Sequence, residues 1–222
     1  MQDANYGLEV RLLSFMVVVA SLLGVPAQAV TLFDTESDFV STSDQIVTEN
    51  FETSAVFGTE SSGGVLSANF GILGVTADRP AIKLLAIPSI VGNHNTTPGG
   101  SNYLAIDTDV GNTSANVVLE FSTPVLAVGF YAVDIEDGLD IEIGGQHYFI
   151  PPTPSGGEQF FGIRADSPFS QLSLAPGSQD SFWNIDDISY LPVPEPSGFL
   201  LLGLACLTLL RRHRIGAEQT VE

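Results

Sequence analysis

The chain has 222 residues, with 26 Asp and Glu against 7 Lys and Arg, for a formal net charge of −19. That length accommodates one domain of ordinary size plus terminal segments, and the acidic balance excludes a phosphate-backbone partner, so no nucleic acid is expected. The single cysteine, Cys206, lies in a C-terminal apolar run, which leaves the body without a disulfide, a thiolate nucleophile or a Cys-based metal site.

At the N-terminus, Arg11 precedes an uncharged apolar run, residues 12–25, which Pro26 ends. Ala27-Gln28-Ala29 then supplies a small-x-small junction. These are the parts of a secretory signal peptide spanning residues 1–29, cleaved after Ala29. As a helix the run reaches roughly 21 Å, short of a ~30 Å hydrocarbon core.

The body, residues 30–191, is punctuated by Gly and Pro and shows little helical periodicity. Between Val30 and Pro196 the basic residues are Arg79, Lys83 and Arg164, against 22 Asp and Glu. Strand patterns recur in order: QIVTENF, GVLSANF, GILGVTA, AIKLLAI and NYLAID. NVVLEF and VLAVGFYAVD follow, read as two strands on either side of a turn at Ser122-Thr123-Pro124. LDIEIGG alternates Leu139, Ile141 and Ile143 with Asp140 and Glu142, the period of a half-buried strand. Gly144-Gly145 before QHYFI marks a two-residue hairpin. EQFFGIR, FSQLSLA and SFWNIDDISY complete the series, while GNHNTTPGG and PPTPSGG read as loops. About a dozen short strands with frequent turns predict an all-β fold, an antiparallel, jelly-roll-like β-sandwich.

Catalytic signals are sparse. His94 and His147 are the histidines of the body, and neither a Gly-x-Ser-x-Gly elbow nor a His-Glu-x-x-His pair is present. Carboxylate pairs for glycoside hydrolysis are a matter of spatial arrangement that abundance does not establish. Carboxylate clusters also suit hard cations, which take several oxygens. DIEDGLD places Asp134, Glu136, Asp137 and Asp140 together, either as a cation loop or as a hairpin turn at Asp137-Gly138. DTDVGN, with Asp107 and Asp109, reads better as a capped turn. Trp183, Tyr131, Tyr103 and Tyr148 read either as core aromatics or as a sugar-stacking platform.

ENFE (49–52) and NIDDISY (184–190) together resemble two motifs of MAM-type jelly-roll ectodomains and of several carbohydrate-binding modules, without the MAM cysteines. The resemblance implies that Glu52 and Asp187, with Asp186 as a third ligand, hold a structural Ca²⁺. In a regular strand Asp186 and Asp187 would point to opposite faces, so one would face inward and need a partner.

The C-terminal segment, residues 192–214, carries Val193-Pro194-Glu195-Pro196, an uncharged run at 197–210, and Arg211, Arg212, His213 and Arg214. Arginines at that end fix it on the cytoplasmic side, making the run a short transmembrane helix with residues 215–222 as a cytoplasmic tail. This stretch resembles the PEP-CTERM sorting signal, also known as the ice-binding protein C-terminal domain. The resemblance implies recognition of Pro194, Glu195 and Pro196 by an exosortase-type membrane protease. It also implies export by a Gram-negative-type bacterium, transient inner-membrane anchoring, then release to the cell surface or an exopolysaccharide matrix. The expectation is therefore a non-enzymatic surface or biofilm-matrix protein, with a Ca-dependent carbohydrate-binding module or a secreted polysaccharide hydrolase as the alternatives.

Overall fold

The computed structural model describes residues 29–58, 64–86, 97–98, 100–108, 114–153, 156–177 and 182–193. Ala27, Pro194, Glu195, Pro196, Arg211, Arg212 and Arg214 lie outside the described residues; Ala29 lies within them and is exposed. Among the described residues no helix is long and apolar enough to cross a membrane.

The β-branched and aromatic runs become strands: β1 (Val30–Phe33), β2 (Val47–Glu49), β3 (Ser67–Phe70), β4 (Leu73–Ala77), β5 (Ile82–Ala86), β6 (Asn102–Asp107), β7 (Val117–Val133), β8 (Leu139–Ile143), β9 (Gln146–Ile150), β10 (Glu158–Pro176) and β11 (Phe182–Pro192). The pairings of these strands are antiparallel. A single turn of helix, α1 (Glu36–Val40), follows β1. The Thr35 side chain caps it by accepting the Asp38 N–H.

Two strands expected to be interrupted are continuous. β7 continues without a break through Ser122-Thr123-Pro124, and β10 joins EQFFGIR to FSQLSLA. Each is long enough to serve both layers. The second half of β7 pairs with the first half of β10 and with β11, which also carries β6 and β2; β1 closes that layer against β10. The first half of β7 pairs with the second half of β10 and with β4, and β8–β9 and β3 complete the other layer. The turn chemistry at Pro124 appears as a bend inside a strand. The β7–β10 register slips between Arg164 and Phe169 and again before Gln171, and bulges of this kind let a strand turn a corner between sheets.

Inward-facing residues of both layers form one core that includes Leu73, Leu119, Phe130, Ile141, Leu174 and Trp183. β8 keeps the expected alternation, with Leu139, Ile141 and Ile143 buried and Glu142 exposed. The β8–β9 turn is the expected hairpin: Gly144 (φ 58°) and Gly145 (φ 79°) are both left-handed, as a I′ turn requires. β11 is buried on both faces along nearly its whole length, because chain segments also cover its outer side. There Phe39 of α1 packs with Phe160, Ala127 and Leu191 in a second, smaller core.

Candidate functional site

The site is built on β11. Its NIDDIS stretch carries Ile185 and Ile188 into the main core, three residues apart instead of two. Along the same interval β7 advances from Tyr131 to Gly129 while β11 advances from Asp186 to Ser189. One residue is therefore extra, and Asp187 takes it up in the left-handed region at φ 49°. The expectation that one of the two aspartates faces inward is thus corrected. The bulge spares both from the core, and a regular alternation was the wrong premise.

Asp186 is nonetheless almost completely buried, on the outer side of the sheet. Its Oδ2 accepts the Thr97 hydroxyl, and its Oδ1 accepts the Asp187 N–H at 2.8 Å. Burial is the main reason its carboxyl is pushed up to about 7. The hydroxyl of Thr97 and the amide of Asp187 oppose that shift, whereas the negative charges of Asp187 and Glu52 add to it. The Glu52 charge thus reaches Asp186 as the weakest of these influences.

Glu52 reaches the cluster from a turn. β2 stops at Glu49, opposite Ile188, and Phe51 adopts φ 62°. The turn seats the Phe51 ring in the core and leaves Glu52 at the surface. The Glu52 Oε1 accepts the N–H groups of Ser101 and Asn102 at 2.6 and 2.5 Å, and its Oε2 is held more loosely by the Ser101 hydroxyl at 3.3 Å. The Asn102 amide is the chief cause that holds this carboxyl below its usual range. Gly100, at φ 139°, makes the approach possible, because a methyl group there would overlap the Glu52 carboxyl.

Two further features lie on the outer face. Lys83 is wholly buried and donates to Asp107 at 2.8 Å, so Asp107 of DTDVGN serves an ion pair. Asn184, on the same face of β11 as Asp186 and two residues before it, is wholly buried, and neither polar atom of its amide is hydrogen-bonded among the described residues. Neither Thr97 nor Asn184 was singled out by the sequence. Thr97 sits in a polar loop with no periodicity to mark it, and Asn184 reads as one more outward strand position.

The donor set of the cluster is all oxygen: the carboxylates of Asp186 and Asp187 and the Thr97 hydroxyl. That chemistry fits a hard cation such as Ca²⁺. Among the described residues no three carboxylates or imidazoles are already arranged as a metal centre. Glu52, bonded to two backbone amides, is the member farthest from a ligand's role.

The remaining candidates fall elsewhere. Asp134 is buried at φ 60° and accepts the Gly156 N–H at 2.7 Å, which ties down a loop. Asp140 meets His147 at 3.1 Å on the exposed side of the β8–β9 hairpin. Trp183 and Tyr103 are buried, and Tyr148 packs against the main core, so these three form no stacking platform. Tyr131 is half-buried and donates its hydroxyl to Glu36 Oε2 at 3.1 Å. Burial first, then the Glu36 charge, push its phenol upward.

The molecule is thus an all-β, antiparallel sandwich with a buried acidic cluster on the outer side of one sheet. Neither a family model nor a characterised protein matches the chain by sequence. Among solved structures it is similar to the K2 cleaved adhesin domain of Lys-gingipain, at 14% identity and a TM-score of 0.45 over 65% of this chain and 98% of that one. It is also similar to the K1 cleaved adhesin domain of Lys-gingipain from Porphyromonas gingivalis W83, at 9% identity and a TM-score of 0.44 over 67% and 98% of the two chains. A third similar structure is TmCBM61 in complex with β-1,4-galactotriose, at 19% identity and a TM-score of 0.40 over 65% and 94%.

Proposed function

We propose that this chain is an exported surface or extracellular-matrix protein without catalytic chemistry, a β-sandwich delivered through its C-terminal sorting segment. The observation that carries the reading is the order of features behind an acidic body: Pro194-Glu195-Pro196, an uncharged run too short for a comfortable span, then Arg211, Arg212 and Arg214. The signal-type segment ending at Ala27-Gln28-Ala29 belongs to the same reading. On it, the partners are an exosortase-type protease, the membrane during transit, and the exopolysaccharide around the cell.

The acidic cluster supports the non-catalytic part. Asp186 is walled in by Thr97 and the bulge, where a cation would brace the sheet but a substrate would not reach. In this reading a structural Ca²⁺ at Asp186 and Asp187, with Glu52 beside them, supplies the positive charge that offsets three neighbouring carboxylates. His147 is exposed and engaged with Asp140, a surface pair and not a buried base with an orienting partner.

Cell fractionation tests the sorting reading. The intact chain should accumulate at the cell surface or in the medium of a host with the sorting protease. Replacing Pro194, Glu195 and Pro196 together with Ala should leave it in the inner membrane. Identical distributions for the two chains would refute the proposal.

A further inference from the structure

The groove beside β1 belongs neither to the acidic cluster nor to the sorting segment. Two openings, of about 510 and 310 Å³, meet at Asp34, Gln159 and Phe160. Both are shallow and open to solvent, a shape that suits an extended ligand lying along the surface. One end is acidic: Asp34, Glu36 and Glu158 stand around Tyr131. The other is apolar, with Leu32 and Phe149 at its mouth, 54% and 62% exposed. Among the described residues Phe149 is the most exposed large apolar side chain. This one is also held in place. Its ring lies against Gly138 (φ 84°), where a methyl group would overlap it. The Tyr131 hydroxyl is anchored on Glu36, and the Tyr131 ring meets Phe160 edge-on at a centroid distance of 5.2 Å. The groove is thus pre-formed on strands instead of being carried by a free loop.

We propose that this groove binds a carbohydrate that carries positive charge, an amino-sugar oligomer with free amines. Phe149 offers the flat apolar face on which the C–H side of a pyranose ring stacks. Gln159 can both donate to and accept from hydroxyls. The three carboxylates decide the charge. None of the described residues lining the groove is basic. A neutral sugar covering it would desolvate negative groups and bring no charge of its own to offset them, an acidic sugar would be repelled, and an ammonium-bearing sugar gains charge-assisted hydrogen bonds. The −19 charge of the chain steers such a cation toward the protein. The inference rests on the exported-protein reading only for where the ligand is met. Failure to bind would leave the fractionation result untouched, and the reverse also holds.

The test is calorimetric titration of the full chain in mild detergent with four probes: the β-1,4-linked hexamer of glucosamine, its fully N-acetylated counterpart, cellohexaose and hexalysine. The glucosamine hexamer should bind at least about tenfold more tightly than either uncharged hexamer, because each lost ammonium–carboxylate bond costs about that factor. Asp34→Asn and Glu158→Gln should each weaken it by about tenfold. Phe149→Ala should weaken the glucosamine hexamer severalfold and leave hexalysine unchanged. Circular dichroism confirms that the variants are folded. Equal affinity for the acetylated and free-amine hexamers, no binding of the glucosamine hexamer, or hexalysine binding as tightly as the glucosamine hexamer would each overturn the proposal.

Discussion

At the scale of single residues, Asp186 is the side chain whose environment departs most from that of a surface carboxylate. Its folded carboxyl is raised to about 7 from an ordinary 3.8. Below pH about 4 the folded and unfolded chains both hold the proton, and the group costs nothing. Between about 4 and 7 the native state keeps a proton that the unfolded chain has released, so stability falls as pH rises. Above about 7 both forms are ionised, and a penalty on the order of 4 kcal/mol remains when no cation offsets it. Glu52 acts in the opposite sense, since its lowered carboxyl contributes stability that is lost on acidification. Chemical denaturation in a chelator should therefore show Asp186→Asn more stable than the parent at pH 8, with the gap closing toward pH 4. A gap independent of pH would mean that the asparagine repacks the site and that charge is not the cause. Gly100→Ala should act on the other arm of the cluster. The added methyl would displace the Glu52 carboxyl from the Ser101 and Asn102 amides and lower the melting midpoint.

At the scale of elements, α1 shows how a short segment is held by packing alone. Five residues are too few for an autonomous helix. Its single fully buried side chain, Phe39, sits against Phe33 and Phe160 at centroid distances of 5.6 and 5.7 Å. Underneath, Gly129 and Gly162 leave the space, and a methyl group at either would run into Phe39 or Phe160. Phe39→Ala should therefore cost about 3–5 kcal/mol and Gly162→Ala about 1–3 kcal/mol in urea denaturation. Amide exchange in α1 should quicken in both. A slowed-exchange core with an unprotected α1 in the parent protein would contradict this account. The sequence showed no trace of α1, because ESDFV has only the adjacent apolar pair Phe39 and Val40 and spans less than two turns, too little for a 3.6-residue period to register. The strands were legible for the converse reason. Alternation in LDIEI and the Gly144-Gly145 pair are local signals and survive folding unchanged. The continuity of β7 and β10 was not legible, since Pro124 and Pro168 are turn residues by local chemistry and only the corner between two sheets makes them bends within strands. The cluster was half-legible. ENFE and NIDDISY named Glu52, Asp186 and Asp187, but the bulge at Asp187 and the reach of Thr97 depend on β7 and on a distant loop.

At the scale of the whole molecule, the feature that acts on every element at once is the net charge of −19. Three basic side chains serve the body, and one of them, Lys83, is buried in its pair with Asp107. The surface of the body is therefore strongly negative and repels itself, which favours its solvation but weakens the compact state. Monovalent salt should relieve this without any site. Raising NaCl from about 10 to about 150 mM shortens the Debye length from ~30 to ~8 Å. If the relief is about 1 kcal/mol, the melting midpoint of a domain this size rises by ~2–4 °C. Calcium at matched ionic strength separates screening from binding. A specific site at a free concentration 100 times its Kd adds about 2.7 kcal/mol, well beyond the monovalent effect. That excess should vanish in Asp186→Asn and Asp187→Asn, while the response to NaCl persists in both, because neither change much alters a net charge of −19. Magnesium should do less than calcium, since it demands a tighter octahedron than a strand bulge and a loop hydroxyl provide. Equal shifts from calcium and sodium at matched ionic strength would mean that the acidic cluster is only screened, and the cation reading of Asp186 and Asp187 would fall.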